Sequence, residues 1–307
     1  MDGKTEIREF LTSRRAHLRP EEAGLPAYGT HRRVPGLRRE EVAMLAGVSV
    51  DYYTRLERGN LQGASEEVLD SLARALQLDD AERTHLFDLA RAANESGGLR
   101  RRKAASQRVR PSVQRILDAM VGAPAWVRNA RHDLLAANQL GFALYSEMLT
   151  DPIRPANNAR FVFLNPRSKE FFGDWERAAD DIVAMLRSEA GRNPYDKALT
   201  DLIGELSTRS ETFRTRWAAH NVRFHRTGRK QLHHPVVGAL DLLYEAMELP
   251  GEDLTVLVYT AEPGSPSQDA LNLLASWSAT VDEAGRNAAQ SATDSAVSPP
   301  HGVDSPK

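Results

Sequence analysis

The chain has 307 residues, 41% of them hydrophobic, a length that points to two domains with enough apolar material for a core in each. The absence of cysteine excludes disulfides, thiolate metal sites and cysteine nucleophiles, and makes a reducing cytoplasm the simplest compartment. The net charge of −2 hides an asymmetry: residues 1–110 carry 20 Lys and Arg against 17 Asp and Glu, whereas residues 111–307 carry 20 against 25.

The first residues, "MDGKTEIREF", lack the apolar run of a signal peptide, and no 18-residue apolar window suggests a membrane span. Ile7, Phe10, Leu11 and Leu18 recur at helical spacing across residues 4–18. A connection rich in Pro and Gly follows, with Arg32, Arg33, Arg38 and Arg39 clustered in "HRRVPGLRR" without an acid. That cluster suits phosphate contact as well as a solvated loop. A second helix places Leu37, Val42, Leu45 and Ala46 on one face and ends at Gly47. Ser49 is a good N-cap for a third helix, whose first turn holds Asp51 and which stops at Gly59. Ser65 caps a fourth helix, and Asp79 with Glu82 forms a capping-box pattern for a fifth.

Residues 1–93 thus read as an all-α five-helix domain, and residues 94–110 as a linker. The linker's basic run, Arg100–Lys103, suits either phosphate contact or plain solvation. From residue 111 to 282 the texture is α+β, with an antiparallel sheet of about five strands. Its expected elements are a short helix over 113–120 and a hairpin at Trp126–Asn129 and Leu134–Asn138. Helices follow over 174–190, 195–207 and 210–220. Strand-like segments begin at Val222, with turns at Thr227-Gly228 and Pro250-Gly251, and a last helix spans 267–277. Residues 283–307, rich in Ala, Ser, Pro and Asp, read as a disordered tail.

The first domain carries the steric pattern of a helix-turn-helix. Ala43 is the small residue where two helices cross, and Gly47, four positions on, suits a left-handed turn. Leu45, Val48, Tyr53 and Leu56 form the expected inward set. Val50, Asp51, Tyr52, Thr54, Arg55 and Arg58 are left facing out, as a major-groove helix requires. Glu57 is expected to orient Arg38, Arg39 or Arg58.

"RREEVAMLAGVSVDYYTRLERG" resembles the helix-turn-helix of the xenobiotic-response-element regulators, which are similar to phage Cro and repressor, and more closely their MmyB-like subfamily. "PAWVRNARHDLLAAN", "FLNPRSKEFFGDWE", "HHPVVG" and "YTAEPGSPS" resemble that subfamily's C-terminal domain. The resemblance covers roughly residues 5–280. It implies a transcription regulator that binds a double-stranded DNA operator as a homodimer, with a PAS-like second domain that takes a small apolar ligand such as a fatty acid. It implies a phosphate contact for Arg39 and base-edge positions for Val50, Asp51, Tyr52, Thr54 and Arg55. Of these, Arg55 best suits a guanine and Asp51 a cytosine, while Tyr52 and Thr54 suit phosphate or a thymine methyl. Arg38 departs from the wider family's Ser/Thr cap, so capping must come from elsewhere and Arg38 is open to phosphate contact.

Residues of the second half suited to line a ligand pocket are Trp126, Phe142, Tyr145, Phe161 and Phe163, with Arg167 or Arg128 to meet a carboxylate; each aromatic also suits plain core packing. His220, His225, His233 and His234 fall within 15 positions, but adjacent His233 and His234 point to opposite faces of a strand. No metal site, cofactor, catalytic constellation or membrane partner is expected. Ligand binding is expected to shift the placement of two DNA-binding domains through the linker. The competing expectation is a constitutive DNA-binding protein whose second half only dimerises or binds a protein partner.

Overall fold

The computed structural model describes residues 3–25, 35–95, 108–222, 226–250 and 252–280. The cluster members Arg32 and Arg33, the run Arg100–Lys103, His225 and the tail from 283 lie outside them.

The first half is five helices: α1 (Gly3–His17), α2 (Arg39–Leu45), α3 (Val50–Glu57), α4 (Glu66–Ala75) and α5 (Asp80–Glu95). Their ends are set by local chemistry. Ser49 Oγ accepts from Tyr52 N at 3.1 Å, and Ser65 Oγ accepts from Val68 N at 3.4 Å. The box at α5 is reciprocal: Asp79 N donates to Glu82 Oε2 at 3.0 Å and Glu82 N to Asp79 Oδ1 at 2.8 Å. Phe10, Leu11, Leu37, Val42, Tyr53, Leu56, Leu72 and Leu86 share one buried core.

The second half opens with α6 (Pro111–Ala119) and the hairpin β1 (Ala125–Asn129) and β2 (Leu134–Ala137). A helical insertion follows: α7 (Gln139–Leu144), α8 (Ser146–Leu149), α9 (Asn158–Leu164), α10 (Ser168–Phe171), α11 (Trp175–Arg192), α12 (Lys197–Arg209) and α13 (Glu211–Ala218). Strands β3 (Thr227–His234), β4 (Gly238–Glu248) and β5 (Leu254–Thr260) complete the sheet, and a helix over 266–280 closes the described chain. The sheet is antiparallel in the order β2-β1-β5-β4-β3. Alternation along each strand sends Trp126, Leu232, Leu242, Leu257 and Tyr259 to an inner face covered by the helices. Val127, Ala136 and Val256 go to an outer face, where α6 lays Val113 and Leu117.

Two expectations change. Thr227 and Gly228 are the first residues of β3, not a turn, because Thr227 pairs with Glu245 and Gly228 with Tyr244. Val222 is not in a strand and is buried in the core of the first half. The segment "RFVFL" is helical: Asn157 Oδ1 caps α9 by accepting from Arg160 N.

The two halves meet along a seam between α1 and α5 on one side and α11 and the segment after α13 on the other. Arg187, fully buried on α11, donates through Nη1 to Glu6 Oε1 on α1 and, at 2.8 Å, to His220 Nδ1. That bond makes Nδ1 the acceptor, leaving the His220 Nε2 proton for Glu9 Oε2 at 3.2 Å. Arg187 also donates to the Trp217 carbonyl, and its guanidinium stacks 4.1 Å from that ring's centroid. Arg14 pairs with Glu82 and donates to the His220 carbonyl at 3.1 Å.

His85 on α5 is wholly buried in this seam. Phe10 meets its ring edge-on at 5.0 Å. Gly191 packs so close that a Cβ there would lie 2.4 Å from His85 Cε1. The charged groups facing it are Glu6 and Arg14 from α1, Arg187 from α11, and His220. Burial lowers its pKa from 6.5 to about 4, against the opposing pull of Glu6. A histidine with a lowered folded pKa takes up a proton when exposed, so this contribution to stability is intact above pH 6.5 and declines as pH falls towards about 4. Melting curves of the whole chain between pH 7.5 and pH 5 should therefore show a loss of stability on acidification that a His85→Gln variant largely lacks. An equal loss in the variant would rule His85 out as its source.

Candidate DNA interface and ligand site

The turn between α2 and α3 is built as a helix-turn-helix needs. Ala43 is fully buried, Gly47 adopts φ +67°, and Val48 N donates to the Ala43 carbonyl at 2.9 Å. Val42, Ala43 and Ala46 form the inward stripe of α2, with Tyr53 and Leu56 from α3. Leu45 is not part of it: at i, i+1 and i+4 the stripe passes from Val42 and Ala43 to Ala46, leaving Met44 62% and Leu45 36% exposed. The cap of α2 comes from Glu41, whose Oε2 accepts from Arg38 N at 2.6 Å.

Glu57 is the charged centre of the motif. It is 1% exposed. Its Oε2 accepts from Arg39 Nε and its Oε1 from Arg15 Nε, the latter at 2.5 Å. The Tyr53 hydroxyl donates to Oε1 at 3.4 Å. Arg15 in turn donates through Nη1 to the Leu37 carbonyl at 2.9 Å. One carboxylate thereby ties α1, α2 and α3 together. Arg39 is the expected partner; Arg15 is an unforeseen one. The pairing raises the pKa of Arg39, whose side chain stays about half exposed at the first position of α2.

The outer face of α3 presents Asp51, Arg55 and Val50, the last 46% exposed. Among the described residues, Arg55 makes a single hydrogen bond, 3.4 Å from Nη2 to the Gln62 carbonyl. Thr54 and Tyr52 are half-buried, and Tyr52 also packs against the domain core. Arg38 is exposed and pairs with Glu40 at 3.3 Å.

In the second half, Trp126, Tyr145 and Phe161 come together in one aromatic core with Phe171 and Tyr259. The Tyr145 and Tyr259 hydroxyls are 2.7 Å apart, and Trp126 Nε1 donates to Tyr259 at 3.4 Å. The helical form of α9 sends Phe163 elsewhere, against Trp175 and Phe213. Phe142 is 41% exposed. Arg167 lies at the surface, paired with Glu147 at 3.3 Å.

Arg128 is placed differently. It lies on the inner face of the sheet, in register with Thr255, beside a β-bulge at Val127/Arg128. It forms no salt bridge among the described residues; its two hydrogen bonds, to the Asn129 carbonyl and Met185 Sδ, are 3.4 and 3.6 Å long. Burial lowers its pKa to about 10. From the other edge of the sheet Lys230 reaches over the Tyr244 ring, 5.3 Å from its centroid. Its pKa is lowered to about 8, chiefly by burial, with Arg128 and Arg177 adding to the shift and Asp181 opposing it. Lys230 went unnoticed in the sequence, although it alternates with the inward Leu232 and His234. His233 and His234 do face opposite ways, exposed and buried.

A cleft of about 550 Å3 lies between α11 and α13, lined by Asp180, Glu211, Thr215, Arg216 and Asn221, and none of the expected ligand residues borders it. The carboxylates of Glu6 and Glu9 and the ring of His220 come within metal-ligating range of one another. Arg187 occupies the place of a cation there, bonded to Glu6 and to His220 Nδ1.

A five-helix unit with this turn and an outward, capped second helix defines a helix-turn-helix DNA-binding protein joined to an α+β domain. Residues 6–86 match a helix-turn-helix domain model, and residues 109–274 match the MmyB-like transcription regulator ligand binding domain. The chain belongs to the MmyB-like transcription regulators. Comparison with curated proteins returned no match. The domain content is that of a ligand-responsive transcription regulator rather than an enzyme. No helix among the described residues is long and apolar enough to cross a membrane.

Removing Glu57 strands the largely buried Arg15 guanidinium and frees the half-exposed Arg39, so Glu57→Ala should cost about 3 kcal/mol in chemical denaturation. A loss below about 1 kcal/mol would mean that the frame stands without it. Arg55→Ala should weaken operator binding in a gel-shift panel while leaving binding to random DNA nearly unchanged. An equal loss on both would make Arg55 a phosphate contact.

Proposed function

We propose that the protein is a sequence-specific operator-binding regulator whose α+β half takes an acidic apolar ligand of the fatty-acid kind, and that Arg128 and Lys230 meet its carboxylate. Arg128 carries this reading: with two long hydrogen bonds, no salt bridge among the described residues, and Glu189 and Glu248 acting only beyond ion-pair distance, its guanidinium is under-satisfied as it stands. An anion entering over the inner face would supply what Arg128 lacks. Trp126, Tyr145 and Phe161 then border the ligand's apolar part. The PAS-like character rests on the order β2-β1-β5-β4-β3, with α7 to α13 all inserted between β2 and β3. On the DNA side, Arg39 serves a phosphate, and Val50, Asp51, Tyr52, Thr54 and Arg55 serve the bases. Arg32, Arg33 and Arg38 add phosphate contacts.

Two half-sites call for a homodimer. The outer face of β4, where Leu243 and Met247 are 47% and 46% exposed, supplies apolar surface for one. Lipid extracts of the purified protein, analysed by mass spectrometry, test the ligand. The wild type should retain a fatty acid, and Arg128→Gln should bind it about tenfold more weakly, with Arg128→Lys between the two. A wild type that carries no ligand, and whose DNA affinity ignores added fatty acid, would leave a constitutive regulator whose second half only dimerises.

A further inference from the structure

We infer that α11 is the element through which the ligand site acts on the DNA-binding domain: an acid group bound at Arg128 and Lys230 displaces α11 and opens the junction of Glu6, Arg187 and His220. This rests on the reading of those two cations as the acid-binding pair.

The helix is two-faced. Asp181, Met185 and Glu189 recur every four residues and form one face. Met185 Sδ lies 3.6 Å from Arg128 Nη2. Asp181 acts electrostatically on Lys230, and Glu189 on Arg128. Val183, Arg187 and Gly191, also spaced by four, form a face turned away from the first by about half a turn. Arg187 holds Glu6 and His220, and Gly191 lies against His85. The last residue of the helix, Arg192, lies 3.5 Å from Asp88 of α5.

The carboxylates of Asp181 and Glu189 now supply the negative charge near the two cations. A ligand carboxylate arriving there takes over that role and repels both. The repulsion pushes α11 away from the sheet, towards α5. No slack exists on that side, because Gly191 already touches the His85 ring too closely to admit even a methyl group. The helix therefore moves only if α1 and α5 give way, and the buried Glu6–Arg187 pair is the contact that yields. α1 also carries Arg15, one of the two partners of Glu57, so its displacement reaches the frame that positions α3.

Coupling is reciprocal in sign: if ligand favours the open seam, a mutation that loosens the seam tightens the ligand, by at most the ratio of its affinities for the two states. The test uses the full chain and palmitic acid as probe. Affinity is measured by calorimetry, and amide exchange is followed in α1, α5 and α11. In the wild type, palmitate should bind and the amides of α1 and α5 at the seam should lose protection. Glu6→Gln, which leaves Arg187 buried beside a neutral amide, should bind palmitate at least threefold more tightly. Gly191→Ala, which forces the seam from the α11 side and leaves the ion pair's groups in place, should do the same, so that a folding failure of one variant leaves the other to decide. Unchanged affinity in the variants, with palmitate still bound and still lost in Arg128→Gln, would overturn the coupling but leave the acid site standing. A wild type that does not bind palmitate would overturn both.

Discussion

Glu6 and Arg187 stand 181 residues apart and are both removed from water. Neither charge is tolerable alone in that setting, since stripping an ion of its hydration costs several kcal/mol that only a well-placed counter-charge offsets. Arg187 meets the condition with the Glu6 carboxylate, the Trp217 carbonyl, the His220 ring nitrogen and the face of the Trp217 indole. Burial works to raise the pKa of Glu6, yet His220, Arg187 and His85 together bring it down to about 2. The pair thus fixes which surface of the helical domain faces which surface of the α+β domain. Apolar burial alone is less selective about orientation. Val222 adds to the docking by joining the core of the other half.

α1 is shared between the two tasks of the protein. Its first turns hold Glu6 and Glu9 at the seam, and its last turn sends Arg15 to Glu57 inside the helix-turn-helix. α11 has the matching position in the other half, between the cationic inner face of the sheet and α5. Of the helices that meet at the seam, α1 also reaches Glu57 of the helix-turn-helix and α11 also reaches Arg128 on the sheet. A domain joined only by a flexible linker would couple its sites through effective concentration. Here packed side chains provide a direct path. The family assignment accounts for the pairing of a DNA-binding half with a ligand-binding half, and the seam puts packed, charge-paired side chains between them.

Local chemistry was legible in the residues. Ser49, Ser65 and the Asp79/Glu82 box act within four positions of themselves, and Gly47 needs only its own backbone angle. The hairpin at β1 and β2 follows from alternation over a short loop. Glu57 was half legible: Arg39 sits in the next helix, whereas Arg15 is 42 positions away. The failures also have physical causes. Leu45 was assigned inward by hydrophobicity, but the short α2 has room for one stripe and Ala46 completes it. Val222 and Thr227-Gly228 were misplaced because strand pairing with the distant β4 sets where β3 begins. Arg167 and Arg128 could not be ranked from the residues, because only the fold puts one beside Glu147 and the other on the inner face of the sheet.

What the sequence by itself determined is therefore the five helices of the first half, the hairpin, the helix-turn-helix and the membership of the chain in its family, since each rests on residues close together in the chain or on motifs in fixed order. Only the tertiary structure decided the seam, the partners of Arg187, the exposure of Phe142 and the placing of Arg128 and Lys230 on one face of the sheet. These depend on how helices and strands distant in sequence come to rest against one another. That arrangement is set by mutual burial and charge compensation, which no local window of residues contains.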